Sequence, residues 1–252
     1  MAMTHDERWG REPRRRVKRA PGAPREPEQR SFAQVVTWGG RRKGAGRKPS
    51  RPGTRPNVRH VSRAKHVRWM PLHITLRCAR QVPSLRFELL HNLVKKAIAD
   101  TRREGFRIVE YSVQDNHLHM VVEAENAATL TSGMRSFTVR VAMRVNATLG
   151  RRGRVWGDRY HRRDLGSPSE VRFALVYVLS NHLKHGHEAQ GLLDPCASGA
   201  WFKGWMHDRH APPTEPPAAE PAETWLLRTG WWEKGGGFIH LGERPRECRR
   251  PA

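Results

Sequence analysis

The sequence has few cysteines and no long apolar run. Its 252 residues include only three cysteines, Cys78, Cys196 and Cys248, which never form a CxxC pair. This spacing argues against a zinc ribbon and against a disulfide framework, and it is typical of a reducing compartment. No apolar run is long enough to cross a bilayer, and the charged N-terminus lacks the apolar core of a signal peptide. We therefore expect a cytoplasmic protein without a membrane partner.

Acidic residues are also scarce. The chain has 24 Asp and Glu against 47 Lys and Arg, a formal net charge of +23, which predicts a polyanionic partner. Residues 1–65 alone hold 19 basic and 5 acidic side chains. They are rich in Arg, Pro and Gly and poor in apolar residues, so we predict a basic disordered arm. It could serve solubility and loose phosphate attraction, or its segment GAGRKPSRP could enter a minor groove.

Hydrophobic periodicity is clear only in residues 66–187, which we predict to form the folded domain. WMPLHITLR alternates as a strand, a helical stripe follows, and FRIVEYSV and HLHMVVEAE form a hairpin. A second helix, a short strand or extended loop at VWGDRYHRRDL, and a helix capped by Ser167 complete the order. This order predicts a ferredoxin-like α+β sandwich, an antiparallel sheet with helices on one face, flanked by disordered or irregular tails.

Periodicity weakens again after His187. Residues 188–252 contain the Pro-rich link APPTEPPAAEPAE and several tryptophans, so we predict an irregular Trp- and Pro-rich tail. Tryptophans in a polar tail form either a small packed appendage or a stacking surface for bases. We favour the appendage, since tryptophan usually marks packing.

The candidate chemistry lies on one strand and one helix. His117 and His119 are two residues apart in a predicted strand, so their imidazoles point to the same face. Tyr177 and Asn181 are four residues apart in the last predicted helix and share one surface. Two imidazole nitrogens and an amide oxygen leave positions open on a divalent ion, which a phosphate oxygen could fill. We predict a metal site at His117, His119 and Asn181, with Tyr177 beside it.

Each of these residues also has a purely structural interpretation. The two histidines could simply be exposed on a polar face, and Tyr177 could be a packed aromatic with a bonded hydroxyl. Asn181 could bond only to the backbone near a helix end. The metal site is favoured because separate periodicities converge on one polar patch in an arginine-rich domain.

Three segments resemble a known family. NHLHMVVE after a short turn, VWGDRYHRR, and EVRFALVYVLSNHLKHG are similar to the IS200-like single-tyrosine (Y1, HUH) transposases, and most similar to the REP-associated tyrosine transposases of bacteria. The resemblance covers residues 66–187. It implies that His117 and His119 are the metal-binding histidine pair, that Tyr177 is the catalytic nucleophile, and that Asn181 holds the third ligand position. The cofactor expected is Mg²⁺ or Mn²⁺.

The resemblance also implies a substrate. Attack by Tyr177 on a phosphate would expel a 3′-hydroxyl and leave a 5′-phosphotyrosine, and a single tyrosine reaches an exposed backbone best in single-stranded DNA bearing hairpins. Basic side chains would hold phosphates, and two aromatic ones could stack on bases. The DNA-binding candidates are Arg135, Arg140, Arg144, Arg154, Trp156, Arg159, Tyr160, Arg162, Arg163 and Lys184. A nucleoid-associated bacterial protein, either a monomer or a homodimer, is expected.

Three hypotheses therefore stand. The first is a metal-dependent transposase that cuts and rejoins single-stranded DNA through Tyr177. The second is a non-catalytic nucleic-acid-binding protein on the same fold. The third is another HxH metal enzyme, such as a zinc hydrolase, and the lack of an HxHxDH extension after His119 counts against it.

Overall fold

A four-stranded antiparallel sheet carries the fold. The computed structural model describes residues 65–184, 186, 193–206 and 213–245. The predicted arm, residues 1–65, therefore lies outside the described residues except for Lys65. In chain order the main elements are β1 (Leu72–Arg77), α1 (Glu88–Ala99), β2 (Phe106–Val113), β3 (His117–Ala124), α2 (Ala127–Thr148), β4 (His161–Asp164), α3 (Pro168–Leu179) and α4 (Asn181–Lys184).

The strand order is β2-β3-β1-β4, with each neighbouring pair antiparallel. The sequence alternation of β1 and β3 sets the register, which places Thr75 opposite His119 and Arg77 opposite His117. Together with the element order, this arrangement confirms the predicted ferredoxin-like α+β fold.

The first hydrophobic core lies between the sheet and helices α1 and α2. Leu118, Met120 and Val122 project from β3 into it. The predicted apolar stripe of α2 is buried there, and Gly133 lets this helix approach β2 so closely that an added Cβ would lie 2.3 Å from the Phe106 ring. The two helices therefore cover one face of the sheet.

The third helix corrects the prediction that all helices share one sheet face. Val121, which alternates with Met120 and Val122, packs with Leu175 and Val178 of α3 in a second core. A β-bulge in β2 also brings Val109 into this core. The helix starts as predicted, with the Ser167 side chain accepting from the Glu170 amide and Pro168 in the first position. It lies against the opposite face of the sheet.

Residues beyond the predicted domain complete the second core. They form a 3₁₀-helix (Ser198–Trp201), β5 (Trp205–Met206), a π-helix (Leu226–Gly230), α5 (Trp231–Glu233) and β6 (Ile239–His240). Strands β5 and β6 pair in parallel, and Phe202, Trp205 and Trp231 pack with α3. The described parts of the Trp- and Pro-rich tail are therefore packed against the domain.

Two buried ion pairs anchor these segments. Arg86, before α1, donates to both carboxylate oxygens of Asp194 at 2.9 and 2.8 Å. Arg172 of α3 donates to both oxygens of Glu243 and to the carbonyl oxygens of Gly237 and Phe238. In the described ranges, no helix has both the length and the hydropathy needed to span a membrane.

Candidate active site on the open side of the sheet

The predicted histidine pair lies on the sheet face opposite α1 and α2. Since β3 alternates, Leu118 and Met120 enter the first core while His117 and His119 project to the other side. Their ring centroids are 4.7 Å apart, and His119 is only 4% exposed. The two imidazoles are therefore adjacent on one face of the sheet, as the strand spacing predicts.

Tyr177 reaches the same spot from α3. Its ring centroid lies 5.0 Å from that of His119, with the rings perpendicular, and 5.5 Å from that of His73. The packing of α3 across this face of the sheet makes the contact possible, because Val178 enters the second core while Tyr177 stays half-buried at its edge. The phenol and the imidazole couple thus belong to one site.

Hydrogen bonds engage Nδ1 of both histidines. His117 Nδ1 lies 2.8 Å from Asn116 Oδ1, and since an amide oxygen only accepts, the ring nitrogen donates. His119 Nδ1 lies 3.1 Å from Thr75 Oγ1 and 3.2 Å from His73 Nε2. These contacts fix the ring orientations and direct Nε2 of each ring away from its hydrogen-bond partner.

His73 is a third histidine in the site that motif spacing did not single out. It stacks on His119 with centroids 5.2 Å apart. Burial lowers the pKa of His73 to about 4, and the neighbouring charges of Arg163 and His161 act in the same direction. The alternation of β1 predicts which face His73 occupies, but only the strand register reveals its contact with His119. It is a neutral imidazole at neutral pH.

Asn181 lies just beyond a break in the last helix. The sequence predicts one continuous helix, but α3 ends at Leu179 and α4 begins at Asn181. At this break the Leu183 amide donates to the carbonyl oxygen of Ser180, three residues back rather than four. Asn181 is fully buried, and neither its amide oxygen nor its amide nitrogen hydrogen-bonds to another described residue. An amide buried in this way needs a further partner.

The donor set fits a divalent cation in part. Within the described ranges, no three His, Cys, Asp or Glu side chains lie together as a metal cluster. The predicted set requires only two such residues, His117 and His119, with the amide oxygen of Asn181 as the third ligand. The unsatisfied amide of Asn181 agrees with that role, since a carbonyl-type oxygen suits Mg²⁺ or Mn²⁺.

Two of the predicted basic residues lie beside this site. Lys184 Nζ sits 5.4 Å from the Tyr177 ring centroid, so it places a positive charge next to the phenol. Arg163 pairs with His73 across β1 and β4, and its side chain is half-exposed in a 3.4 Å ion pair with Glu170. Lys184 therefore lies beside Tyr177, and Arg163 lies on the strand next to His73.

The predicted arginines of α2 lie elsewhere. Arg135 and Arg140 are exposed, and Arg144 pairs with Asp100. Since α2 covers the face opposite the histidines, these three side chains are separated from Tyr177 by the sheet. The structure therefore does not bring them into the candidate active site.

The DNA-binding candidates between residues 154 and 162 mostly make contacts within the protein. Trp156 packs against Phe137 and donates its indole N–H to the Thr138 carbonyl, and Tyr160 packs against the first core. Arg162 makes a bidentate pair with Asp164, and Arg154 donates to the Gly157 carbonyl. Arg159 is half-buried. The packing of Trp156 speaks against the base-stacking role predicted for it.

Comparison with known proteins agrees with the geometry. The family described as "Transposase IS200 like" matches residues 66–180. These residues contain the sheet, helices α1 to α3, both motif histidines and Tyr177. This region of the chain is therefore similar to the IS200-like transposase family.

Solved structures give distant similarities. One is a REP-associated tyrosine transposase bound to a REP hairpin, with 16% identity, a TM-score of 0.43, and coverage of 66% of this chain and 100% of that chain. Another is a protein described as a transposase from Deinococcus radiodurans R1, with 13% identity, a TM-score of 0.33, and coverage of 52% of this chain and 94% of that one. No curated protein matches the chain significantly.

Proposed function

We propose that the protein is a metal-dependent transposase that cleaves and rejoins single-stranded DNA through Tyr177. The observation that carries the proposal is the edge-on contact of Tyr177 with His119, at 5.0 Å between ring centroids, within an IS200-like domain. A histidine pair that shares its sheet face with a half-buried phenol is suited to phosphoryl transfer. The formal charge of +23 supports DNA as the partner.

In the proposed reaction Tyr177 is the nucleophile. Its phenolic oxygen bonds to the phosphorus, the bond from phosphorus to the 3′ oxygen breaks, and the departing 3′ oxygen takes up a proton. The phenol releases its own proton to solvent as this bond forms, and the Lys184 ammonium beside the Tyr177 ring is placed to contact the negatively charged phosphate. The product is a 5′-phosphotyrosine, which retains the ester for transfer to another 3′-hydroxyl.

Three residues would hold the Mg²⁺ or Mn²⁺ ion. His117 and His119 would bind it through Nε2, because Nδ1 of each ring is engaged by Asn116, Thr75 or His73. Asn181 would add its amide oxygen. A bound ion would supply Lewis-acid polarisation of the attacked phosphate.

The test is a covalent adduct assay. Purified protein is incubated with single-stranded oligonucleotides that carry hairpins, with Mg²⁺, Mn²⁺ or EDTA, and the products are resolved on a denaturing gel. Wild-type protein should form an adduct only with metal. Tyr177→Phe should form none, whereas Tyr111→Phe, which alters a tyrosine buried in the first core, should match wild type.

Two other results would contradict the role of Tyr177 as the nucleophile. A non-catalytic DNA-binding protein would bind the same oligonucleotides with no adduct under any metal, and would bind them equally after His117→Ala. An adduct that persists in Tyr177→Phe would show that the nucleophile is another residue.

A further inference from the structure

A cavity lies on the same side of the sheet as the histidines. It has a volume of about 460 Å³, within the range of ligand pockets of roughly 300–1,000 Å³. Its walls come from β2, from Leu175 of α3, and from the C-terminal segments that follow the family domain. Nothing in the proposed strand-transfer chemistry uses this cavity.

Aromatic rings form much of the wall. Phe202 lies 5.6 Å from Trp231, and Trp232 stacks on Phe238 at 5.3 Å with the ring planes 8° apart. These packed ring pairs form an apolar wall, against which a planar ligand gains contact area without needing hydrogen bonds.

One carboxyl group lies deep in this apolar cavity. Glu110 is 9% exposed, and one of its oxygens accepts a hydrogen bond from the Ser198 hydroxyl. Its other oxygen makes no hydrogen bond to a described residue. Burial raises the pKa of Glu110 to about 8, so the group is largely neutral at pH 7 and offers a donor beside an acceptor.

Two cations also line the cavity. Lys203 and Arg228 are exposed, and the described residues provide no ion pair to either side chain. Glu220 is the second acidic side chain of the wall and is half-buried. The cavity therefore combines aromatic walls and a neutral carboxyl with positive charge that is available to an anion.

The cavity is close to the candidate active site. Ser112 pairs directly with His119, and Glu110 precedes Ser112 by two residues on the same strand. Diagonal neighbours of this kind have Cα atoms about 7–8 Å apart. Glu110 in the cavity wall and His119 in the candidate active site are therefore near neighbours on the same face of the sheet.

We propose that this cavity binds an unpaired nucleobase of the DNA strand, with the ring against the aromatic wall, the base edge on Glu110 and the adjoining phosphates on Lys203 or Arg228. This rests on the proposed function. Every base carries a donor next to an acceptor on its Watson–Crick edge, which matches a neutral carboxyl. That edge is already occupied in a duplex, so only an unpaired base fits.

The experiment follows a fluorescent base in EDTA, so that no strand is cut. The probe is a DNA hairpin with a single-stranded extension that carries 2-aminopurine at successive positions, and a blunt hairpin without extension is the reference. Stacking in the cavity should quench 2-aminopurine at one or two positions only. Equal quenching at every position, or none, would contradict a defined base site.

Two variants test the cavity directly in the full-length protein. Ala222→Phe fills the space, and Glu110→Leu removes the base-edge partner while Ser198 keeps its second acceptor, the Tyr111 carbonyl oxygen at 3.2 Å. Each should remove the position-specific quenching and raise Kd for the extended hairpin about 10-fold, with Kd for the blunt hairpin unchanged.

Matched controls separate the cavity from charge and volume. Glu88→Leu removes a carboxylate from the exposed start of α1, and Ala222→Ser keeps the wall volume. Both should bind and quench as wild type. If Ala222→Phe and Glu110→Leu also do so, the cavity is not a base site. The Tyr177 adduct is measured on the same hairpin with metal, so loss of the adduct alone would overturn only the proposed function.

Discussion

At the scale of single residues, the candidate active site depends on hydrogen bonds that orient its imidazoles. His119 contacts Thr75, His73 and Tyr177, and His117 donates to Asn116. The spacing of His117, His119 and Tyr177 is readable in the sequence. The contacts of Thr75 and His73 are not, because they depend on the register between β1 and β3.

The orienting residues should control metal affinity. Removing a hydrogen-bond partner of a metal-binding histidine typically weakens binding by about 10–100-fold. We expect Asn116→Ala and Thr75→Val each to weaken Mn²⁺ binding in this range, as measured by titration calorimetry. Ser136→Ala, on α2 across the sheet, should have no effect. Unchanged affinity in both site variants would show that these contacts do not prepare the histidines for a metal.

Glu110 should make the stability depend on pH. Burial raises the pKa of Glu110 to about 8 in the folded protein, above its ordinary value of 4.5. The protonated carboxyl therefore stabilises the folded state fully below about pH 4.5, and this stabilisation is lost as the pH rises through about 8.

Glu110→Gln should remove this loss. Denaturant unfolding from pH 5 to 9 should show the wild type losing on the order of a few kcal/mol relative to Glu110→Gln. Parallel pH profiles for the two proteins would contradict the buried, neutral state of this carboxyl.

At the scale of elements, hydrophobic periodicity predicts that a helix or strand exists, and which of the two it is, better than it predicts where that element packs. The stripe of α2 and the cap of α3 follow from local spacing, and both are observed. Local spacing does not predict which face of the sheet α3 covers, because that face depends on the bulge at Val109 and on apolar residues far along the chain. The break at Ser180 also lacks a Gly or Pro that would mark it.

The cap of α3 gives an element-scale prediction. Ser167 accepts from the Glu170 amide, and replacing such a cap by Ala costs about 1 kcal/mol. We expect Ser167→Ala to lower the free energy of unfolding by about that amount in denaturant titrations. Adduct formation at 25 °C should persist, since Tyr177 lies nearly three turns away. No loss of stability would mean that the cap is not formed in solution.

At the scale of the whole molecule, the C-terminal segments pack against the domain that contains the candidate active site. They supply Phe202, Trp205, Leu227, Trp231 and Ile239 to the second core. The sequence predicts that the tryptophans pack, but not against which surface, since no local pattern encodes contacts between residues as far apart in the chain as Leu175 and Trp231. The packing of this tail on α3 also creates the cavity that contains Glu110.

The anchor between α3 and the tail should outweigh a surface ion pair. The Arg172 side chain is 11% exposed and bonds to Glu243 and two carbonyl oxygens, whereas that of Arg163 is 52% exposed. Arg172→Ala should lower the free energy of unfolding by on the order of 3 kcal/mol, and Arg163→Ala by less than about 1 kcal/mol. Equal losses in chemical denaturation would contradict the role of Arg172 as an anchor.

The central claim is that Tyr177, held against His119, forms the covalent bond to DNA. The most direct measurement is peptide mapping by mass spectrometry of the adduct formed with Mg²⁺ or Mn²⁺. The account predicts a nucleotide 5′-phosphate on the peptide that contains Tyr177, and none on those containing Tyr111 or Tyr160. A modification on any other residue, or a nucleotide joined through its 3′-phosphate, would contradict it.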